Sequence, residues 1–171
     1  MKKIFLIFFI FLLHHTSYAQ NKNRTSVSLS FNKVEAAYRY RFSEKQIWVS
    51  SYLGVSNQDI NSNFDDFLLG IKIGLPILEL QKAFFYGQLN SGLYFPNNNY
   101  YNITTSFIGL DLGYEIQLGK TKKHSIFAEI GYLYGKREYK QKYDDRYISI
   151  SSTETFILLP LIFNTGYGFN F

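Results

Sequence analysis

Apolar residues recur at every second position along most of this chain. In the clearest segment Leu110, Leu112 and Tyr114 alternate with Asp111 and Gly113. A period of two is that of a β-strand, whose successive side chains point to opposite faces of a sheet. One face of this segment therefore suits hydrocarbon, and the other suits water or polar partners.

The same alternation predicts eight strands, at residues 26–31, 35–42, 47–55, 67–75, 85–95, 106–119, 126–137 and 155–171. Short links alternate with long ones. The short links cover 43–46, 78–82 and 119–124, the long ones cover 56–65, 96–105 and 140–154, and a tight turn near 32–34 is the exception. Short turns at one rim and long loops at the other are typical of transmembrane barrels. The pattern predicts an all-β fold, an eight-stranded antiparallel up-and-down transmembrane β-barrel.

The first residues have the pattern of an export signal. Lys2 and Lys3 precede an apolar run at 4–13, and Ser17 and Ala19 supply small residues at a cleavage site. Ten apolar residues are about half of what a membrane-spanning helix needs, so we expect a cleavable signal peptide at 1–19 and a barrel at 20–171.

Composition narrows the function classes. The 171 residues include no cysteine, and 19% are aromatic, which suits strands. Lys and Arg number 18 against 13 Asp and Glu, and loss of Lys2 and Lys3 leaves an excess of +3 that is scattered along the chain. Nucleic acid is therefore not an expected partner.

The C-terminal segment has a pattern of its own: Asn164, then Gly166, then Phe169 two residues before the final Phe171. Here the chain resembles the small eight-stranded outer-membrane β-barrel proteins, adhesion-type or porin-like barrels with a C-terminal aromatic assembly signal. The resemblance covers essentially everything after residue 24. It implies location in the bacterial outer membrane, contact with outer-membrane lipid, and recognition of these four residues by the outer-membrane assembly machinery.

Charged residues fall on the face predicted to point inward. They are Arg39, Arg41, Lys72, Asp111, Glu115 and Glu129. Eight strands enclose a space just wide enough for side chains, and buried ions persist when they are paired. We expect a structural ion network in which Arg39 reaches Glu115. The alternative is a narrow passive pore.

Apolar residues at inward positions of the outer half form a second group: Leu68, Leu133, Phe156, Leu158 and Ile162. They predict either a dry cap of packed side chains or a pocket for an acyl chain. The pocket would make the protein a lipid-binding or lipid-modifying barrel.

Catalytic chemistry finds no support in the pattern. His124 and Ser125 are neighbours on a strand, so their side chains point to opposite faces and do not form a nucleophile–base pair. No metal-ligand spacing or phosphate-binding loop occurs. We expect no enzyme activity and no cofactor or metal.

The loop at 140–154 combines aromatic residues with both signs of charge, a composition found at protein-binding surfaces. Its candidate contact residues are Tyr143, Asp144, Asp145, Arg146 and Tyr147. The sequence predicts a structural or surface-interaction role through this rim. The alternative is a solvated loop without a partner.

Overall fold

The computed structural model describes residues 22–42, 46–57, 64, 66–97, 103–144 and 149–171, and the secondary structure in them is β-strand. The nine strands are β1 (Asn23–Leu29), β2 (Lys33–Arg41), β3 (Trp48–Ser56), β4 (Asp66–Glu79), β5 (Ala83–Pro96), β6 (Thr105–Leu118), β7 (His124–Asp144), β8 (Ser149–Ile157) and β9 (Leu161–Asn170).

These strands close into an eight-stranded antiparallel barrel. The order around it is β6-β5-β4-β3-β2-β1-β9-β7, and pairing of β6 with β7 completes the circle. The ninth strand, β8, pairs with the part of β7 that extends beyond β9. The predicted eight-stranded closed barrel is confirmed.

The paired residues show how far the strands are staggered. Asn23 pairs directly with Phe171, which follows β9. The chain of paired residues that runs from Asn23 the other way around the barrel ends at Leu161 on β9, ten residues before Phe171. The intermediate partners are Tyr40, Val49, Ile73, Leu89, Leu110 and Tyr132. A stagger of ten residues over eight strands corresponds to a strand tilt of about 40°. The tilt brings residues of distant strands to the same height in the interior.

The prediction of one continuous strand over 155–171 and of a loop over 140–154 was wrong. The β-strand is interrupted at 158–160, where Pro160 has no N–H to donate to the ladder. The pairing stays in register across the break, because Tyr132 pairs with Leu161 and Lys136 pairs with Ile157. Beyond the barrel β7 and β8 form a projecting hairpin with nine residue pairs, from Lys136–Ile157 to Asp144–Ser149.

The two faces of the barrel differ sharply in polarity. Outward positions carry large apolar side chains that are exposed, such as Leu110 at 67% and Ile130 at 60%. Inward positions carry buried charged side chains, such as Glu115 at 1% and Glu129 at 3%. The barrel thus keeps its charged side chains inside and has an apolar outside, which is the reverse of a water-soluble barrel.

Within the residues that the structure describes, no helix has the length and apolar character needed to cross a membrane.

Candidate functional site in the barrel interior

Glu129 on β7 lies at the centre of the interior charge network. Its carboxylate accepts hydrogen bonds from Lys72 Nζ at 3.1 Å, Tyr86 Oη at 2.7 Å, Gln88 Nε2 at 2.9 Å and Asn164 Nδ2 at 3.2 Å. These donors come from β4, β5 and β9. One carboxylate therefore ties four strands together across the lumen.

Lys72 is shared between two carboxylates. Its Nζ also lies 3.3 Å from Oε2 of Glu35. The same oxygen accepts a hydrogen bond from Ser28 at 3.4 Å, and the other carboxylate oxygen of Glu35 pairs with Lys33 at 2.6 Å. Glu35 and Lys33 were not in the predicted network. Both stand at inward positions of β2, so the alternation that gave Arg39 also points to them.

The predicted contact between Arg39 and Glu115 is present, with Nη1 of Arg39 at 3.1 Å from Oε2 of Glu115. The same oxygen accepts a hydrogen bond from Arg24, which is 3% exposed. Arg24 was missed because the first predicted strand began at residue 26, whereas β1 begins at Asn23. Extending the alternation by one step would have found it.

The other two predicted charges form no ion pair with a described residue. Asp111 accepts hydrogen bonds from Gln88 at 3.2 Å and Asn90 at 3.4 Å. Arg41 is half-buried, and its guanidinium carbon lies 5.5 Å from the ring centroid of Trp48 and 5.4 Å from that of Phe84.

Four of the five predicted apolar residues meet in one layer above the charge network. Leu68, Leu133, Leu158 and Ile162 pack with Tyr52, Tyr94 and Phe107. Leu68 and Leu158 have no accessible surface, and a wall of a cavity wide enough for an acyl chain would have some. This geometry favours the dry cap over the pocket. The fifth residue, Phe156, lies on β8, and its side chain is outside the described part.

An ion pair that the sequence did not reveal closes the interior above this apolar layer. Arg137 on β7 lies 3.0 Å from Asp66 at the start of β4, and both side chains are 1% exposed. Ion pairs therefore cross the lumen both above the apolar layer, at Arg137–Asp66, and below it, in the charge network around Glu129 and Glu115. Such contacts obstruct the path that a pore needs.

Two residues of the predicted assembly signal, Asn164 and Gly166, have packing roles in the barrel, and the two phenylalanines lie outside the core. Asn164 points inward to Glu129, and the rings of Phe169 and Phe171 lie 6.2 Å apart. At Gly166 a Cβ atom would come within 2.4 Å of the ring of Phe127. Glycine is needed there because an inward aromatic ring lies flat against the backbone.

The resemblance at the C-terminus implies an assembly role beside these contacts, and two variants separate assembly from packing. Deletion of Phe171 should lower the amount of folded protein in the membrane while the purified chain still refolds in detergent, because Phe171 lies just beyond β9 and is not in the core. Gly166→Leu should fail in both assays, since its side chain collides with Phe127. The measurements are membrane abundance in cells and refolding yield in vitro; normal abundance of the Phe171 deletion would show that the resemblance at the C-terminus is accidental.

The residues considered for chemistry are separated by the strand geometry. Ser125 is fully buried and donates to the carbonyl of Gly168 at 3.5 Å. The ring of His124 is exposed and contacts the Tyr167 hydroxyl. Among the residues that the structure describes, no group of three or more His, Cys, Asp or Glu side chains is placed to hold a metal ion.

The candidate contact residues of the rim divide between two regions. Tyr143 and Asp144 lie at the end of β7 in the projecting hairpin, with side chains outside the described part. Asp145, Arg146 and Tyr147 lie outside the described residues altogether.

Comparison of the chain with family models, curated proteins and solved structures found no match. The fold and interior nevertheless define a class: a closed eight-stranded antiparallel barrel with an ion-paired interior.

Proposed function

We propose that this protein is an integral barrel of the bacterial outer membrane whose role is structural or surface-interacting. The observation that carries the proposal is the reversed polarity of the barrel wall. Exposed apolar side chains occur at outward positions around the barrel, for example Leu69 on β4, Leu112 on β6 and Phe163 on β9. A soluble monomer rarely exposes a continuous apolar surface of this extent, whereas lipid tails cover it without cost.

The dimensions of the apolar surface support this placement. On β6 it runs from Ile108 to Leu118, ten residues of about 3.4 Å each, which at a tilt near 40° rise roughly 26 Å. The outward apolar band of membrane barrels is about 25 Å tall. Aromatic pairs stand near both ends: Phe85 with Tyr114 at 4.5 Å, and Phe67 with Phe95 at 6.1 Å.

The remaining parts of the proposal follow from this placement. A signal peptide at 1–19 would deliver the chain across the inner membrane, and the last strand would be read by the outer-membrane assembly machinery. With the start of β1 and the end of β9 at the periplasmic rim, the projecting hairpin of β7 and β8 would stand on the outside.

The projecting hairpin is the part of the barrel best suited to bind a partner. Its nine pairs extend about 27 Å along the strands, and each strand has a neighbour on one side only in the described ladder. Unpaired strand edges present rows of backbone donors and acceptors that can bind an extended segment of another protein. We place the interaction surface here, on the rim.

Membrane placement is tested by fractionation. The mature protein should appear in outer-membrane fractions, require detergent for solubility, and migrate differently on gels before and after boiling, because a closed barrel resists detergent until heated. A soluble periplasmic monomer would contradict the proposal, since the apolar face would then be exposed to water.

The surface role is tested by removing the hairpin. Replacing residues 140–154 with a short Gly/Ser turn should leave abundance and heat-modifiability unchanged, because the ion pairs of the interior lie below it. Surface attachment or partner capture by cells should be lost. Unchanged attachment by this variant would contradict a role for the rim.

A further inference from the structure

A small cleft opens at the end of the barrel where β1 begins and β9 ends. Its volume is about 40 Å³, where a water needs roughly 10–15 Å³ by the same measure, so it has room for about three waters or one tetrahedral anion. The charged residues that line it are Lys22, Arg24, Arg39, Arg41 and Glu115. Lys22 and Arg41 are partly exposed, so the cleft communicates with solvent.

The charges in this cleft do not balance. Four cations face a single carboxylate, and Oε2 of Glu115 already accepts from both Arg24 and Arg39. The middle of the interior has the opposite imbalance, with Lys33 and Lys72 facing the three carboxylates of Glu35, Asp111 and Glu129. The residues that line the cleft therefore carry an excess of positive charge, and Glu79, which does not line the cleft, is a further carboxylate that acts on Arg41.

One arginine in the cleft has donors to spare. Arg41 has no carboxylate within 4.0 Å in the described part of the chain, and the rings of Trp48 and Phe84 hold its guanidinium beside the cleft. A guanidinium stacked on aromatic rings keeps its N–H edge free for an acceptor in its plane.

We propose that this cleft is a binding site for a phosphate group. Arg forks match the oxygens of phosphate in geometry and charge, and a dianion would offset most of the local excess. The group can belong to free inorganic phosphate or to the headgroup of an anionic phospholipid at the nearby rim. The cleft is present in the folded barrel whether or not the barrel lies in a membrane.

The test is a titration of the folded full chain in a non-ionic sugar detergent at low ionic strength, followed by phosphorus NMR. Inorganic phosphate should bind saturably. Arg41→Gln should weaken binding roughly tenfold or more, the loss expected for a charge-assisted hydrogen bond. Lys120→Gln, which removes an exposed cation at the same end that does not line the cleft, should bind as the wild type does.

A second arm uses mixed micelles that contain phosphatidylglycerol. If the protein binds phosphatidylglycerol more tightly than inorganic phosphate, and Arg41→Gln weakens that binding equally, the site is assigned to a lipid headgroup. If it binds inorganic phosphate alone, the site is assigned to the free anion. The inference is overturned if neither probe saturates, or if Arg41→Gln and Lys120→Gln lose binding equally.

Discussion

Replacing Lys72 with methionine is expected to lower the free energy of unfolding by roughly 3–5 kcal/mol, the cost of removing one partner of a buried ion pair. Among the described residues, Lys72 is the cation within 4.0 Å of Glu129. Glu35, the other carboxylate beside Lys72, still has its ion pair with Lys33 in the variant. The variant leaves the carboxylate of Glu129 with the neutral donors Tyr86, Gln88 and Asn164 and with no cation within 4.0 Å among the described residues. Urea unfolding followed by the fluorescence of Trp48, the single and fully buried tryptophan, measures the loss.

A double-mutant cycle separates the ion pair from the packing of the lysine chain. Glu129→Gln in the Lys72→Met background removes the unpaired charge and keeps the hydrogen-bonding shape, so it should recover part of the loss. Lys120→Met on the exposed turn is the matched control and should stay within about 0.5 kcal/mol of the wild type. Strictly additive losses at positions 72 and 129 would show that the two side chains do not interact.

Replacing Leu112 with arginine has the second largest expected effect. Leu112 is 60% exposed and lies in the middle of β6, six residues from Leu118 at one end. An arginine at the midplane of a membrane barrel costs about 2–4 kcal/mol. Folding into lipid vesicles, measured by urea titration, should show this loss.

The same substitution at the end of the strand provides the control. Leu118→Arg places the charge near the interface, where the cost falls to about 0–1 kcal/mol. In water both variants would be exposed and nearly neutral, so equal stabilities of Leu112→Arg and Leu118→Arg in vesicles would contradict membrane insertion. The difference between the two positions therefore measures lipid contact directly.

The face to which each side chain points could be read from the sequence alone. Alternation along β6 placed Asp111 and Glu115 inside and Leu110 and Leu112 outside, and the structure agrees. The signal is strong because the two faces meet such different surroundings.

The partners of the inward charges depended on the tertiary structure. A strand that slips by two residues keeps every side chain on its own face, so alternation cannot choose between such registers. The register between strands and their tilt decide which inward side chains lie at the same height and can meet across the lumen. They bring Arg24 to Glu115 and Arg137 to Asp66, pairs from strands that are distant in sequence.

The projecting hairpin shows the other limit of the sequence pattern. Residues 138–155 are mostly polar, so alternation fades there although the backbone of β7 and β8 remains extended and paired. A period of two appears only where the two faces meet different environments. The sequence by itself thus determined the strands of the barrel wall and its reversed polarity, because each residue type suits either the interior or the outer surface and successive residues alternate between them. Closure, stagger and pairing across the lumen were decided by the tertiary structure, because they depend on register between strands.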